Sequence, residues 1–394
     1  MSEAEVPARR YITALTGMRG VAAFLVFLYH YEALHPGIRL DLAVPLIGPV
    51  LQFPLGFGSV GVDVFFVLSG FLLTLPFARS ALEARPGPGL VRYFRRRFLR
   101  VFPAYYAQLL ILLVVGSWFV TWRPLDTGAL LAHLVMFFNI GPQPVSPMVG
   151  VWWTLPVEMG FYLLLPLLAL FLRPKRWIPL VLVCVLLSVA YRAWAAAHFA
   201  PISDSRAFLA ASQLPGNLAE FLAGASAALL VQYVAVRNLP KPSPLALDLM
   251  FAAGLIAPGL WLWNVVLAAG SAYWKGHWSM LIGPLALGLP LSVSVLSLYW
   301  GSRLGELLFA NRVVYFLGLV SYSLYLWHFV AMQQLQKAIG DGYAGLSHWI
   351  TFPVCVGAVV GVAALSYYLA ERPFYRLRSY RQAVKADRGI PAPR

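Results

Sequence analysis

Arg19 and His30 lie in one apolar run, Thr16-Gly-Met-Arg-Gly-Val-Ala-Ala-Phe-Leu-Val-Phe-Leu-Tyr-His30. On an α-helix the spacing between them is close to three turns, so both side chains leave one face, about 16 Å apart along the axis. Asp63, Glu158, Glu220 and His328 are also ionisable residues set inside apolar runs. Such groups are expensive in hydrocarbon and mark functional positions by default, although some only join helices. A histidine beside carboxylates suits general-base chemistry, because a carboxylate fixes the imidazole tautomer and stabilises the imidazolium. The same groups also read as buried pairs that neutralise one another, and Glu220 as the lining of a water-filled vestibule.

A second constellation is Val91-Arg-Tyr-Phe-Arg-Arg-Arg-Phe-Leu-Arg-Val-Phe-Pro103. On a helix Arg96 and Arg100 share a face, and Arg97 neighbours Arg100. Planar guanidinium forks bind phosphate bidentately, so Arg96, Arg97 and Arg100 are candidates to hold a nucleotide-like ligand. A polybasic segment beside a membrane helix also marks topology or attracts anionic headgroups, and the charges alone do not choose between these.

The elements that must position these residues are membrane helices. Of the 394 residues, 60% are hydrophobic and 11% charged, with a mean hydropathy of +0.73. The apolar residues gather in runs of the length that crosses about 30 Å of hydrocarbon. Spans are expected at 12–34, 58–78, 101–122, 151–172, 177–198, 213–236, 245–268, 278–299, 313–336 and 349–370. The expected fold is an all-α polytopic bundle of about ten spans, without the period-two alternation of a barrel. The first run exceeds a signal peptide in length and reads as a retained span. No soluble domain of useful size is expected, so the chemistry belongs to the bundle: residues 1–375 form the transmembrane domain and 376–394 a basic tail.

The net charge of +15 follows the membrane and not a nucleic-acid partner. Arg9 and Arg10, the seven arginines from Arg79 to Arg100, Arg173, Lys175, Arg176, Arg237, Lys241, Arg303, Arg312 and the basic C-terminal stretch fall on one side. Arg39, Arg123, Arg206 and Lys275 fall on the other. Both termini are therefore expected in the cytoplasm. Cys184 and Cys355 lie inside apolar runs, which makes a disulfide or a metal site a poor reading; no metal ligands are assigned. With this topology His30, His328, Asp63, Glu158 and Glu220 reach a similar depth in the outer half of the bundle.

The chain resembles the membrane acyltransferase 3 family of O-antigen, exopolysaccharide and macrolide acylases. The resemblance rests on the Arg19 and His30 run, on Gly61-Val-Asp-Val-Phe-Phe-Val-Leu-Ser-Gly-Phe71, on the arginine run through Pro103 and on Trp153-Thr-Leu-Pro-Val-Glu-Met-Gly-Phe-Tyr162. A weaker match is Ser321-Tyr-Ser-Leu-Tyr-Leu-Trp-His328. Thr154 stands where a serine is common, with the hydroxyl kept. Some members carry a C-terminal hydrolase-like domain, whereas this sequence stops soon after Glu371-Arg-Pro-Phe-Tyr375. The resemblance implies transfer of an acyl group, usually acetyl, from cytoplasmic acyl-coenzyme A to a hydroxyl of a glycan or small molecule outside a bacterial inner membrane. No tightly bound cofactor is implied.

On that reading His30 is the general base, Asp63 or Glu158 orients it, and Arg19 binds a phosphate or polarises the thioester. An acyl-imidazole intermediate is the competing mechanism. Arg96, Arg97 and Arg100 hold the nucleotide end of the donor. His328 and Trp153 are candidates on the acceptor side, His328 alternatively serving only a neighbouring helix. Ser69, beside Gly70, is assigned to close helix packing. A proton-coupled secondary transporter would use the same layer of histidines and carboxylates as a relay. No internal repeat of the kind such transporters show is evident.

Overall fold

The computed structural model describes residues 5–35, 43–44, 48–49, 57–118, 125–141, 144–340 and 346–374. The chain is a helical bundle. Its elements are α1 (Glu5–Leu34), a two-residue antiparallel pairing of β1 (Ala43–Val44) with β2 (Gly48–Pro49), α2 (Val60–Leu82), α3 (Leu90–Val115), α4 (Thr127–Leu134), α5 (Thr154–Leu168), α6 (Pro174–Phe199) and α7 (Asp204–Ala211). There follow α8 (Leu214–Val236), α9 (Pro244–Ala268), α10 (Trp278–Trp300), α11 (Arg303–Phe309), α12 (Arg312–Leu319), α13 (Ser321–Ile339), α14 (His348–Ser366) and a π-helical turn, Tyr367–Glu371. The basic tail expected at 376–394, much of the loop at 41–57 and part of the loop at 121–149 lie outside the described residues.

Among the described residues, eight helical segments are long and apolar enough to cross a membrane, and α12 with α13 makes a ninth if that pair is one span. The protein is thus a multi-pass integral membrane protein. The thirty-residue α1 covers the expected first span, 12–34, and is not counted among the eight. Two expectations need correction. The arginines sit within α3, which begins at Leu90 and not near Val101. The expected span 313–336 is not continuous, because α12 and α13 meet at an angle of 77°.

The break follows from packing. α12 lies against α1 so closely that a Cβ on Gly318 would fall 2.0 Å from Thr16 O. Nothing larger than hydrogen fits there, and van der Waals contact between backbones is what associates helices in lipid. Ser321 Oγ donates to Gly318 O across the corner, and α13 leaves in a new direction. The same device joins α2 to α8, where a Cβ on Gly70 would meet Phe221 O at 2.0 Å and one on Gly224 would meet Val67 O at 2.0 Å. Ser69 therefore borders this crossing, and its neighbour Gly70 makes it.

Candidate active site

α13 returns alongside α1 and runs in the same direction, which sets His328 against His30, with ring centroids 5.0 Å apart. His30 Nδ1 lies 2.9 Å from Val26 O and 3.3 Å from His328 Nε2. His328 Nδ1 lies 2.8 Å from Tyr325 O and 3.1 Å from Leu324 O. A carbonyl oxygen only accepts, so in the neutral pair Nδ1 carries the proton in both rings. His30 Nδ1–H then donates to Val26 O and His328 Nε2 together. His30 Nε2 is left with an available lone pair. His328 is fully buried, and Phe329 packs edge-on against His30 at 5.3 Å.

One helical turn back along α13, Tyr325 lines a cavity of about 100 Å³, shared with Arg19, Arg97, Arg100 and Glu158. The Tyr325 ring also stands 5.9 Å from that of His328, so it forms the wall between cavity and histidine pair. Arg97 Nε is buried with no hydrogen-bond partner among the described residues, and its guanidinium lies 5.9 Å from the Tyr162 ring centroid. Glu158 Oε1 accepts from Ser69 Oγ at 2.9 Å and from Tyr162 Oη at 2.5 Å. Three cations facing one carboxylate leave the cavity suited to an anion that brings its own acceptors.

The structure divides the residues that the sequence placed in one layer. Gly58, just before α2, and Gly61 on it face α1, whereas Val67 and Gly70 face α8. Asp63 shares the second face, and it hydrogen-bonds Glu220 on α8, near Arg192. A hydrogen bond between two carboxyl groups needs a proton on one of them to donate. Asp63 is therefore turned away from His30. Glu158 sits in the arginine cavity, and the described partners of His30 are Val26 O and His328. The expectation that Asp63 or Glu158 orients His30 is corrected: a second histidine and a carbonyl do so. Arg97 and Arg100 line the cavity, while Arg96 is not among its lining residues, being rotated about 100° from Arg97. Trp153 also lies outside it, packed edge-on to Phe208 at 5.1 Å and to Phe66 at 6.3 Å.

Several contributors were not singled out from the sequence. Tyr325 Oη donates to Val151 O, so Thr154 Oγ1 must donate to Tyr325 Oη, 2.8 Å away; the threonine hydroxyl has a defined task. Gln108 accepts from Trp152 Nε1 and donates to Leu326 O, tying α3 and the segment before α5 to α13. Tyr322 lines the cavity and donates to Val101 O. Tyr162 was legible, since it lies one turn after Glu158 on the same face. On α8's side of the molecule, Arg192 is buried and donates to Met280 O and Asn217 Oδ1.

Beside the site, α4 carries a buried histidine. His133 Nδ1 donates to Ala129 O and its Nε2 accepts from Met148 N. Burial holds this imidazole below its usual pKa. Among the described residues, no three His, Cys, Asp or Glu side chains are grouped to hold a metal ion.

Similarity to known proteins bears on what this arrangement does. The chain is 29% identical to Nodulation protein 10 of Rhizobium leguminosarum bv. viciae, over 86% of this chain and 88% of that one. It is 26% identical to Acyltransferase MdmB of Streptomyces mycarofaciens, over 95% and 94%. It is 24% identical to the O-acetyltransferase OatA of Staphylococcus aureus over 81% of this chain, which corresponds to half of that longer protein. No solved structure matches. Residues 12–370 match the family model of the acyltransferase domain, so the chain belongs to the acyltransferase 3 family and is a membrane-embedded acyltransferase.

Proposed function

We propose that the protein moves an acyl group, acetyl by analogy with the O-acetyltransferase relative, from cytoplasmic acyl-coenzyme A to a hydroxyl of a glycan or small molecule on the outer side of a bacterial inner membrane. The observation that carries this reading is the adjacency of two unlike sites across Tyr325: a cationic cavity and a histidine pair with one free Nε2. With both termini in the cytoplasm, Arg19, Arg97 and Arg100 face the side from which the donor enters. Their guanidinium groups suit the phosphates of coenzyme A, and the thioester arm extends along α1 toward His30.

In this mechanism His30 Nε2 takes the proton of the acceptor hydroxyl as the oxygen attacks the thioester carbonyl. The C–S bond breaks, and the proton passes to the departing thiolate. His328 accepts from His30 Nδ1–H and holds the ring in the tautomer that exposes Nε2. Glu158, tied to Ser69 and Tyr162, opposes the three arginines and keeps them directed into the cavity. An acyl-imidazole would form on the same Nε2 lone pair and is the competing mechanism. Transfer of radiolabel from acetyl-coenzyme A to an extractable acceptor in membranes carrying the protein tests the reading; no labelled product with any glycan or macrolide extract would oppose it. The transporter reading requires a continuous relay. Among the described residues the carboxyl pair and the histidine pair lie on opposite faces of α2, with no hydrogen-bond chain joining them.

A further inference from the structure

The π-helical turn at Tyr367–Glu371 carries a residue that the mechanism above does not use. Tyr368 and Leu369 on this turn are exposed, whereas Glu371 is 1% exposed and points into the bundle. Its Oε1 accepts from Ser323 N at 3.1 Å and from Ser323 Oγ at 2.5 Å. Ser366 Oγ stands 2.9 Å from Ser323 Oγ, whose own proton is already given to Glu371, so Ser366 is the donor in that contact. Ser323 is the third residue of α13, counted from the break that separates it from α12. Its N–H is among the amide groups that a helix start leaves without an intrahelical partner. A buried acidic side chain from another element therefore completes the first turn of α13.

That turn opens the helix that bears the residues that build the site. Tyr322 and Tyr325 line the arginine cavity, and His328 meets His30. Because α12 and α13 are bent by 77°, no continuous helix fixes the rotation of α13 about its axis. Packing and the Glu371 anchor must set it. Rotation matters here, since His30 and His328 meet through one 3.3 Å contact.

We propose that Glu371 is a positioning residue for acyl transfer: by accepting both Ser323 donors it sets the orientation of α13 and so the register of His328 against His30. This proposal rests on the acyl-transfer reading, and its test separates the two. Glu371→Leu keeps the side-chain bulk and removes the acceptor. Glu371→Gln keeps an amide oxygen that both Ser323 donors can reach.

Purified full-length wild type, both variants and Ser323→Ala are assayed for His30-dependent transfer from acetyl-coenzyme A. Hydrogen exchange at the Ser323 amide is measured alongside. The expected result is a fall in kcat of roughly 10- to 100-fold for Glu371→Leu, a loss within about threefold for Glu371→Gln, and Ser323 amide protection lost only in the former. Ser323→Ala, which keeps one of the two donors, falls between them. Wild-type turnover in Glu371→Leu, equal damage from Leu and Gln, or unchanged protection of Ser323 in Glu371→Leu would each overturn the proposal. If wild type shows no His30-dependent transfer, the acyl-transfer reading fails, and the exchange measurement still decides whether Glu371 anchors α13.

Discussion

Replacing His328 by alanine is expected to slow acyl transfer far less than replacing His30, and the structure indicates by how much. His328 touches the proposed base through one contact, 3.3 Å long and shared with Val26 O at 2.9 Å. In the variant the carbonyl remains and still holds the His30 proton on Nδ1. What is lost is one neutral hydrogen bond, worth about 0.5–1.5 kcal/mol net, together with some restraint on the ring. If that whole contribution is felt in the transition state, kcat falls by roughly 2- to 13-fold at about 1.4 kcal/mol per decade. Loss of the base itself removes a contribution of about 10²- to 10⁴-fold. Single-turnover measurement of acetyl transfer at saturating donor compares the two variants without interference from product release. A fall in His328→Ala as deep as in His30→Ala would refute the positioning role and place His328 in the chemistry. Unchanged turnover would mean that Val26 O alone suffices.

Other consequences can be checked separately. Arg97→Ala should raise the KM for acetyl-coenzyme A by about tenfold or more, the value of one charge-assisted hydrogen bond, while Arg96→Ala, outside the cavity, should leave it within about threefold; equal effects would return the arginine run to a topology signal. Tyr325→Phe leaves Val151 O and the Thr154 hydroxyl without their partner, at about 1–3 kcal/mol for each buried group. Adding Thr154→Val should restore part of the lost thermal stability, and strict additivity of the two changes would show that they do not share a bond. Burial lowers the His133 pKa, so the folded loop disfavours the proton that the unfolded chain accepts near pH 6.5. The stabilisation is complete above that pH and is lost as pH falls through it toward the lower folded value. The protection factor of the Met148 amide should decline over this interval, and His133→Gln should flatten the decline.

The sequence disclosed depth well and azimuth poorly. Apolar run length located the helices, but of the residues placed in one outer layer the structure joins His30 to His328 and Asp63 to Glu220, and sets Glu158 among the arginines. Asp63 shows what depth omits: two residues beyond Gly61, it is rotated about 200° from the face that meets α1, and it joins Glu220 instead of His30. The corner between α12 and α13 was invisible because its cause is the contact of Gly318 with Thr16 O, a feature of two backbones and not of local propensity. Glu371 and Gln108 escaped notice for a related reason, since each acts on a residue distant in the chain, Ser323 and Leu326 respectively. By contrast Arg97 and Arg100, neighbours by helix spacing, do line one cavity, with Arg19 beside them and Arg96 outside. Clustered arginines at one helix end form a local pattern.

The central claim is that His30 Nε2 serves as the base in transfer from acyl-coenzyme A. The most direct measurement is release of free coenzyme A thiol from acetyl-coenzyme A by the purified protein, wild type beside His30→Asn, with an acceptor extract added. The account predicts acceptor-dependent release by wild type and a loss of at least about 100-fold in the variant, with donor KM little changed. Release that persists in His30→Asn would contradict it.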